Sequence, residues 1–229
     1  MTIRICVSIL PKTTTEALRL IEKAEESNAD LIEVRLDCLE DHSELADVAA
    51  HGKAPKIATN KLRSCQGNFS GTETEQQQIL LTAAKNGFEY VDIELTSPKL
   101  KDTVRELKSL GVKPIVSFHD FAEPLSLPEL NSLLEREIAS GADVCKIVTT
   151  AKRIEDNLTI LNFISTACAK AKIVCFAMGE LGKVSRLLSP LFGGFFTFAS
   201  LERGSETSPG QMTIQEMRTA YELLRLKRK

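Results

Sequence analysis

Short runs of β-branched and other apolar residues alternate along the chain with longer stretches whose apolar positions recur at helical spacing. The strand candidates are residues 3–9 (IRICVSI), 31–37 (LIEVRLD), 56–59 (KIAT), 90–95 (YVDIEL), 114–120 (PIVSFHD), 144–149 (VCKIVT), 172–178 (KIVCFAM) and 195–200 (FFTFAS). Helix starts are marked between them. Thr13 with Glu16, Ser126 with Glu129 and Thr213 with Glu216 have the spacing of a capping box, and Ser97–Pro98 fits an N-cap followed by proline. Asn86–Gly87, Gly111 and Gly141 fit helix stops. Strands that alternate with helices pair in parallel, because parallel neighbours need a crossover. About eight such units with no Pro/Gly/Ser-rich linker predict an α/β chain folded as one (β/α)8 TIM barrel over residues 1–229. A doubly wound open sheet is the alternative, weakened by SILPKTTTE where a dinucleotide fold would carry GxGxxG.

Three segments, NADLIE, GFEYVD and GADVCK, share one pattern, which predicts that Glu33, Asp92 and Lys146 lie at one depth on three strands. Side chains alternate across a strand, so Glu33, Arg35 and Asp37 share one face while Ile32, Val34 and Leu36 take the other; Asp92 and Glu94 pair off likewise. Buried strands with charges on one face predict an interior lined with ionisable groups.

Composition narrows the function classes. Lys and Arg number 29 against 31 Asp and Glu, a formal charge of −2, with no basic patch interleaved with aromatics, which argues against nucleic acid. No run approaches 18 apolar residues, and Arg4 interrupts the apolar N-terminus, so a cytoplasmic protein without a membrane partner is expected. The six cysteines show no CxxC pair and no histidine at ligand spacing, so they are expected reduced, with no metal.

Lys146 is the exceptional residue, an ammonium in the middle of an apolar strand. It could snorkel, pair with a buried carboxylate, or act as an amine nucleophile. A lysine attacks a carbonyl only as the free amine, and burial disfavours the charged form. His119 ends the preceding strand candidate, at the end where barrel active sites are built, which suits proton transfer. His42 and His51 fall in polar helical surroundings and are expected exposed. In AMGELGKVSR two glycines and Arg186 could meet an anion, and the polar loop ERGSETSPGQM could form a lid.

The ordered set EVRLD, VDIEL, SFHDF, ADVCKIV, MGELGKVSR and TSPGQ, spanning nearly the whole chain, resembles the type I 3-dehydroquinate dehydratases. These are Schiff-base (β/α)8 lyases of the shikimate pathway, which serves aromatic amino acid biosynthesis. The resemblance implies dehydration of 3-dehydroquinate to 3-dehydroshikimate, with Lys146 attacking the ring ketone and His119 moving protons. It further implies that Glu33 and Arg35 contact ring hydroxyls, that Arg186 holds the carboxylate, and that Thr207 and Gln211 close over the substrate. Ser8 matches another substrate contact. A homodimer is expected by the same analogy, and no metal or organic cofactor is implied, since the lysine itself supplies the electron sink.

One segment departs from the family. After the third strand the family shows an arginine and then Glu-Gly-Gly, whose glutamate assists the histidine; here TNKLRSCQGNFSG places Cys65 or Gln66 at that glutamate. The arginine falls on Lys61 or Arg63, with Arg63 counted as the substrate contact. Catalysis is expected to survive. Two competing readings are another Schiff-base barrel lyase or aldolase, and a carboxylate-binding barrel without chemistry.

Overall fold

The computed structural model describes residues 3–226. Within them β1 (Ile5–Ile9) leads to α1 (Thr14–Glu26), β2 (Leu31–Arg35) to α2 (Leu45–Ala50), and β3 (Lys56–Thr59) to α3 (Glu73–Lys85). The series continues with β4 (Tyr90–Glu94), α4 (Leu100–Ser109), β5 (Lys113–His119), α5 (Leu127–Ala139), β6 (Val144–Thr150) and α6 (Asp156–Ala167). It ends with β7 (Ile173–Met178), α7 (Lys183–Leu188), β8 (Thr197–Ser200) and α8 (Ile214–Leu223). All pairings are parallel, in the order β7-β6-β5-β4-β3-β2-β1-β8. Phe195 N donates to Ile173 O at 2.7 Å, which brings the lead-in of β8 against β7. The chain is a (β/α)8 barrel. No helix among the described residues is long and apolar enough to cross a membrane.

Local chemistry sets the helix starts. Thr13 accepts from Glu16 N, and both Ser126 and Thr213 form complete capping boxes with Glu129 and Glu216. A further box, Thr72 with Glu75, starts α3. Ser97–Pro98 does not open a helix: Ser97 N donates to Glu94 O at 3.0 Å in a turn, and α4 begins after Lys99 at φ 53°. The chain leaving β4 has to reverse before it can coil.

The outward faces of the strands pack under the helices in two clusters. Val7, Ile32 and Val34 lie against Ala17 and Ile21 of α1 and Leu80 of α3; Val116, Cys145 and Ile147 lie against Leu130 and Leu134 of α5 and Phe163 of α6. The inward faces are staggered. Glu33 is level with Ile57, and Ile57 with Tyr90, two residues before Asp92. Asp92 is level with Ile115, and Ile115 with Val144, two residues before Lys146. Ser8 joins Glu33 to Ser200, two residues after Phe198. One residue of stagger per strand is the shear of a tilted eight-stranded barrel. It gathers Glu33, Asp92, Lys146 and Phe198, one from each even-numbered strand, into a single layer. Beneath them lie Cys6, Ile57, Ile115 and Val174, then Leu31, Tyr90, Val144 and Phe196, an apolar floor.

Removing the unanticipated cap by Thr72→Ala is expected to cost about 1 kcal/mol and lower Tm by about 2–4 °C. Ser97→Ala, where no cap forms, is expected to stay within about 0.5 kcal/mol of the parent in the same thermal and urea melts.

Candidate active site

Above the apolar floor the C-terminal ends of the strands surround a cavity. Glu33, Lys146 and Phe198 line its base, Arg35, Lys61, His119 and Phe176 its walls, and Thr207, Ser208 and Gln211 its roof.

Lys146, 5% exposed, projects from β6 with its Nζ 2.8 Å from Asp92 Oδ2, 3.8 Å from Glu33 Oε1 and 4.4 Å from the centre of the Phe198 ring. Glu33 is held on both oxygens, by Ser8 Oγ at 2.6 Å and Thr59 Oγ1 at 2.9 Å. Asp92 carries a second ammonium, with Lys61 Nζ at 2.7 Å from Oδ1. Lys61 also donates to Glu94 and, at 3.1 Å, to Ser117 Oγ. Burial alone would raise the Asp92 carboxyl; Lys146 and Lys61, with His119 beyond, more than reverse this and hold it far below the carboxylate range. Glu94 is likewise raised by burial but drawn down by Lys61 and His119, from 4.5 to about 2.

His119 ends β5 with Nδ1 3.4 Å from Glu94 Oε1, its ring stacked 5.7 Å from Phe121. Burial pushes the imidazole below its ordinary value and Glu94 opposes that. Nδ1 facing Glu94 leaves Nε2 as the ring nitrogen free to act elsewhere.

Arg186, from α7, is 1% exposed and lies 4.1 Å over the Phe176 ring. Its Nη2 donates to Ser208 at 3.0 Å, while Nε and Nη1 have no partner among the described residues. Arg35 is matched bidentately by Asp37, at 2.8 and 2.6 Å, and Lys61 and Lys146 share Asp92. Arg186 is therefore the cavity cation with no carboxylate partner among the described residues. A buried guanidinium with free donors suits a planar anion. The roof loop is seated against the turn after β7: Gly179 N donates to Pro209 O at 3.0 Å, and a Cβ on Gly210 (φ 72°) would fall 2.1 Å from Gly179 O. Gln211 Oε1 accepts from Thr207 N at 2.6 Å, so the two residues expected to close over a substrate are tied together.

A lysine, a histidine and an unmatched arginine around one barrel mouth narrow the chemistry, and comparison with known proteins decides the family. The model of the type I 3-dehydroquinase family matches residues 5–228. The chain belongs to that family. A relative from Dehalococcoides mccartyi named 3-dehydroquinate dehydratase is 37% identical over 217 residues, 95% of this chain and 94% of its own. One of the same name from Methanococcus maripaludis is 32% identical over 222 residues, 96% and 99% of the two chains. The solved 3-dehydroquinate dehydratase of Geobacillus kaustophilus superposes with a TM-score of 0.90 at 25% identity, covering all of this chain and 93% of that one. That of Enterococcus faecalis gives 0.84 at 27%, covering 97% and 94%. A deoxyribose phosphate aldolase from Aeropyrum pernix, at 14% identity and a TM-score of 0.63 over 86% of this chain and 85% of that one, shares the fold alone.

Among the residues carried over from the type I 3-dehydroquinase pattern, Lys146, His119, Glu33, Arg35, Arg186, Thr207 and Gln211 all line the cavity. Ser8 and Arg63 do not. Ser8 is buried behind the wall, where its hydroxyl is spent on Glu33. Arg63 is exposed on a short 3-10 turn, and Lys61 lines the cavity in its stead. The physical reason is local. Asp37 accepts from Lys61 N at 3.2 Å and Asn68 N at 3.0 Å, and the loop folds back so closely that a Cβ on Gly67 would fall 1.9 Å from Lys61 O. That pins Lys61 inward and turns Arg63 out. Cys65 and Gln66 reach the cavity edge, but the carboxylate at His119 comes from Glu94 on β4. Asp92, Glu94, Ser117 and Ser208 were not among the expected site residues, although the alternation in VDIEL already turned Asp92 and Glu94 inward. His42 and His51 are half-buried away from the cavity, bonded to Leu36 O and Glu22 rather than exposed.

Because Asp92 and Glu94 titrate lower folded than unfolded, the unfolded chain binds more protons in acid. Glu94's contribution is complete above its ordinary value of 4.5 and is lost as pH falls through about 2; that of Asp92 is complete above 3.8 and declines steadily as pH falls below it. Asp92→Asn takes from Lys146 its one hydrogen-bonded carboxylate and from Lys61 one of two, and is expected to cost about 3–5 kcal/mol at pH 7. In urea denaturation the gap between parent and variant is expected to shrink as pH falls through that window.

Proposed function

We propose that the chain dehydrates 3-dehydroquinate to 3-dehydroshikimate through an imine on Lys146, in the shikimate pathway of aromatic amino acid biosynthesis. The observation that carries this is the placement of the amine. Lys146 Nζ makes one close hydrogen bond, to Asp92, at the base of a cavity that also holds His119 and the unmatched Arg186.

The amine attacks the ring ketone, water leaves, and an iminium forms. His119 accepts the C2 proton, and the electron pair left behind flows into the iminium to give an enamine. The electrons return as the β-hydroxyl departs, taking a proton to leave as water; hydrolysis of the conjugated imine then releases product and restores the lysine. The iminium is the electron sink, so neither metal nor organic cofactor is needed. Arg186 holds the substrate carboxylate with its two unpaired nitrogens, Nε and Nη1, Glu33 and Arg35 meet ring hydroxyls, and Thr207 with Gln211 closes the roof. A homodimer accompanies the proposal by analogy with the family, and a cytoplasmic location by the absence of a long apolar run in the sequence.

Incubation with 3-dehydroquinate and sodium borohydride, followed by peptide mapping, is expected to place a mass adduct on Lys146 that is absent in Lys146→Ala. His119→Ala is expected to lower kcat by about 10²–10⁴-fold while the substrate still binds. Substrate binding without an adduct in the parent protein would remove the imine.

A further inference from the structure

Lys61 lines the cavity, yet its ammonium has nothing left to offer a ligand. Its three N–H donors meet three acceptors, Asp92 Oδ1 at 2.7 Å, Ser117 Oγ at 3.1 Å and Glu94 Oε1. Lys146 differs, with one hydrogen bond at 2.8 Å to Asp92 and only a distant Glu33 at 3.8 Å. One lysine is saturated and the other is open.

We infer that Lys61 is a positioning residue, whose ammonium occupies Asp92 and Glu94 so that these carboxylates do not hold the protons that Lys146 and His119 must exchange. The inference rests on the dehydratase assignment. Three carboxylates, Glu33, Asp92 and Glu94, lie around the two interior ammoniums. Without Lys61, Asp92 would keep Lys146 as its one hydrogen-bonded ammonium and Glu94 would keep only His119, and carboxylates left without their cation favour the protonated forms of their remaining neighbours. Lys61 takes one oxygen of Asp92 and leaves the other to Lys146, and it takes the Glu94 oxygen that also faces His119 Nδ1. On His119, burial and the Lys61 charge act in one direction and Glu94 in the other.

The charged and titratable groups facing Lys61 come from several elements. They are Asp92 and Glu94 on β4, His119 on β5, Lys146 on β6, the Arg35–Asp37 pair at the end of β2 with Glu33 below it, and Cys65 on its own loop. Glu94 and Asp92 are the closest, and both are carboxylates. Removing the cation therefore leaves a net negative surround.

Lys61→Gln and Lys61→Arg, with folding checked by thermal melts, are to be compared with the parent in kcat and KM for 3-dehydroquinate across pH. The expected result for Lys61→Gln is a lower kcat at neutral pH, KM within about threefold, and an acid limb of kcat/KM displaced upward by about one pH unit or more. Raising the pH should recover its rate, and Lys61→Arg should keep the parent profile. A tenfold rise in KM with the limb unmoved would make Lys61 a substrate contact and overturn the inference, as would an unchanged profile.

Should Lys61→Gln not fold, labelling of the unaltered protein by formaldehyde with cyanoborohydride decides the matter. Lys146 is expected to be methylated well before Lys61, and equal rates would overturn the saturation on which the inference stands. If the parent protein neither turns over nor traps 3-dehydroquinate, the dehydratase assignment falls, and the labelling still decides Lys61.

Discussion

A carboxylate between two ammoniums is the interaction on which this interior depends. Asp92 lies in the wall of the barrel, 2% exposed, and gives one oxygen to Lys61 and the other to Lys146. A buried ion pair gains little over an apolar pair of the same shape, but a buried charge without its partner is strongly destabilising. The two lysines can therefore be deep in the barrel only together with Asp92. Glu94 and Glu33 then settle around the excess positive charge, each satisfied by further partners.

Shear makes that meeting possible. With one residue of offset per strand, side chains two residues apart in register on alternate strands rise to one height. Two apolar layers close the barrel below, so the charges do not lie in a water-filled pore. Above them the cavity mouth is polar and roofed by the loop that Gly210 seats against Gly179. Water is thus kept to one end, where a lysine amine, an imidazole and a guanidinium face a common space.

The cations of the cavity divide by how they are neutralised. Arg35 is closed by Asp37 in two parallel bonds and braces the β2 and β3 loops, since Asp37 also accepts from Lys61 N and Asn68 N. Lys61 is closed by two carboxylates and a hydroxyl. Arg186, set over Phe176, keeps two nitrogens unpaired among the described residues. Charge matching alone separates the side chains that hold the site together from those that can meet an anion. It also accounts for the loop that departs from the family pattern: with Glu94 already at His119, the imidazole has a carboxylate partner that does not depend on Cys65 or Gln66.

By itself the sequence determined the barrel, through strand–helix rhythm and caps that act within four residues, such as Thr13 with Glu16 and Ser126 with Glu129. It also determined which side chains face inward, because a period of two is a property of the strand alone; Glu33, Asp92 and Lys146 were legible that way. The tertiary structure decided which of those charges touch. Contact between Lys146 and Asp92 depends on the stagger between β4 and β6, and stagger is set by closure of the whole ring rather than by any one strand. The choice of Lys61 over Arg63 hangs on a backbone held by Asp37, and Ser8 serves Glu33 because β1 and β2 put them side by side. Local periodicity is written in neighbouring residues; charge pairing across strands is a long-range outcome, and only the closed barrel assigns it.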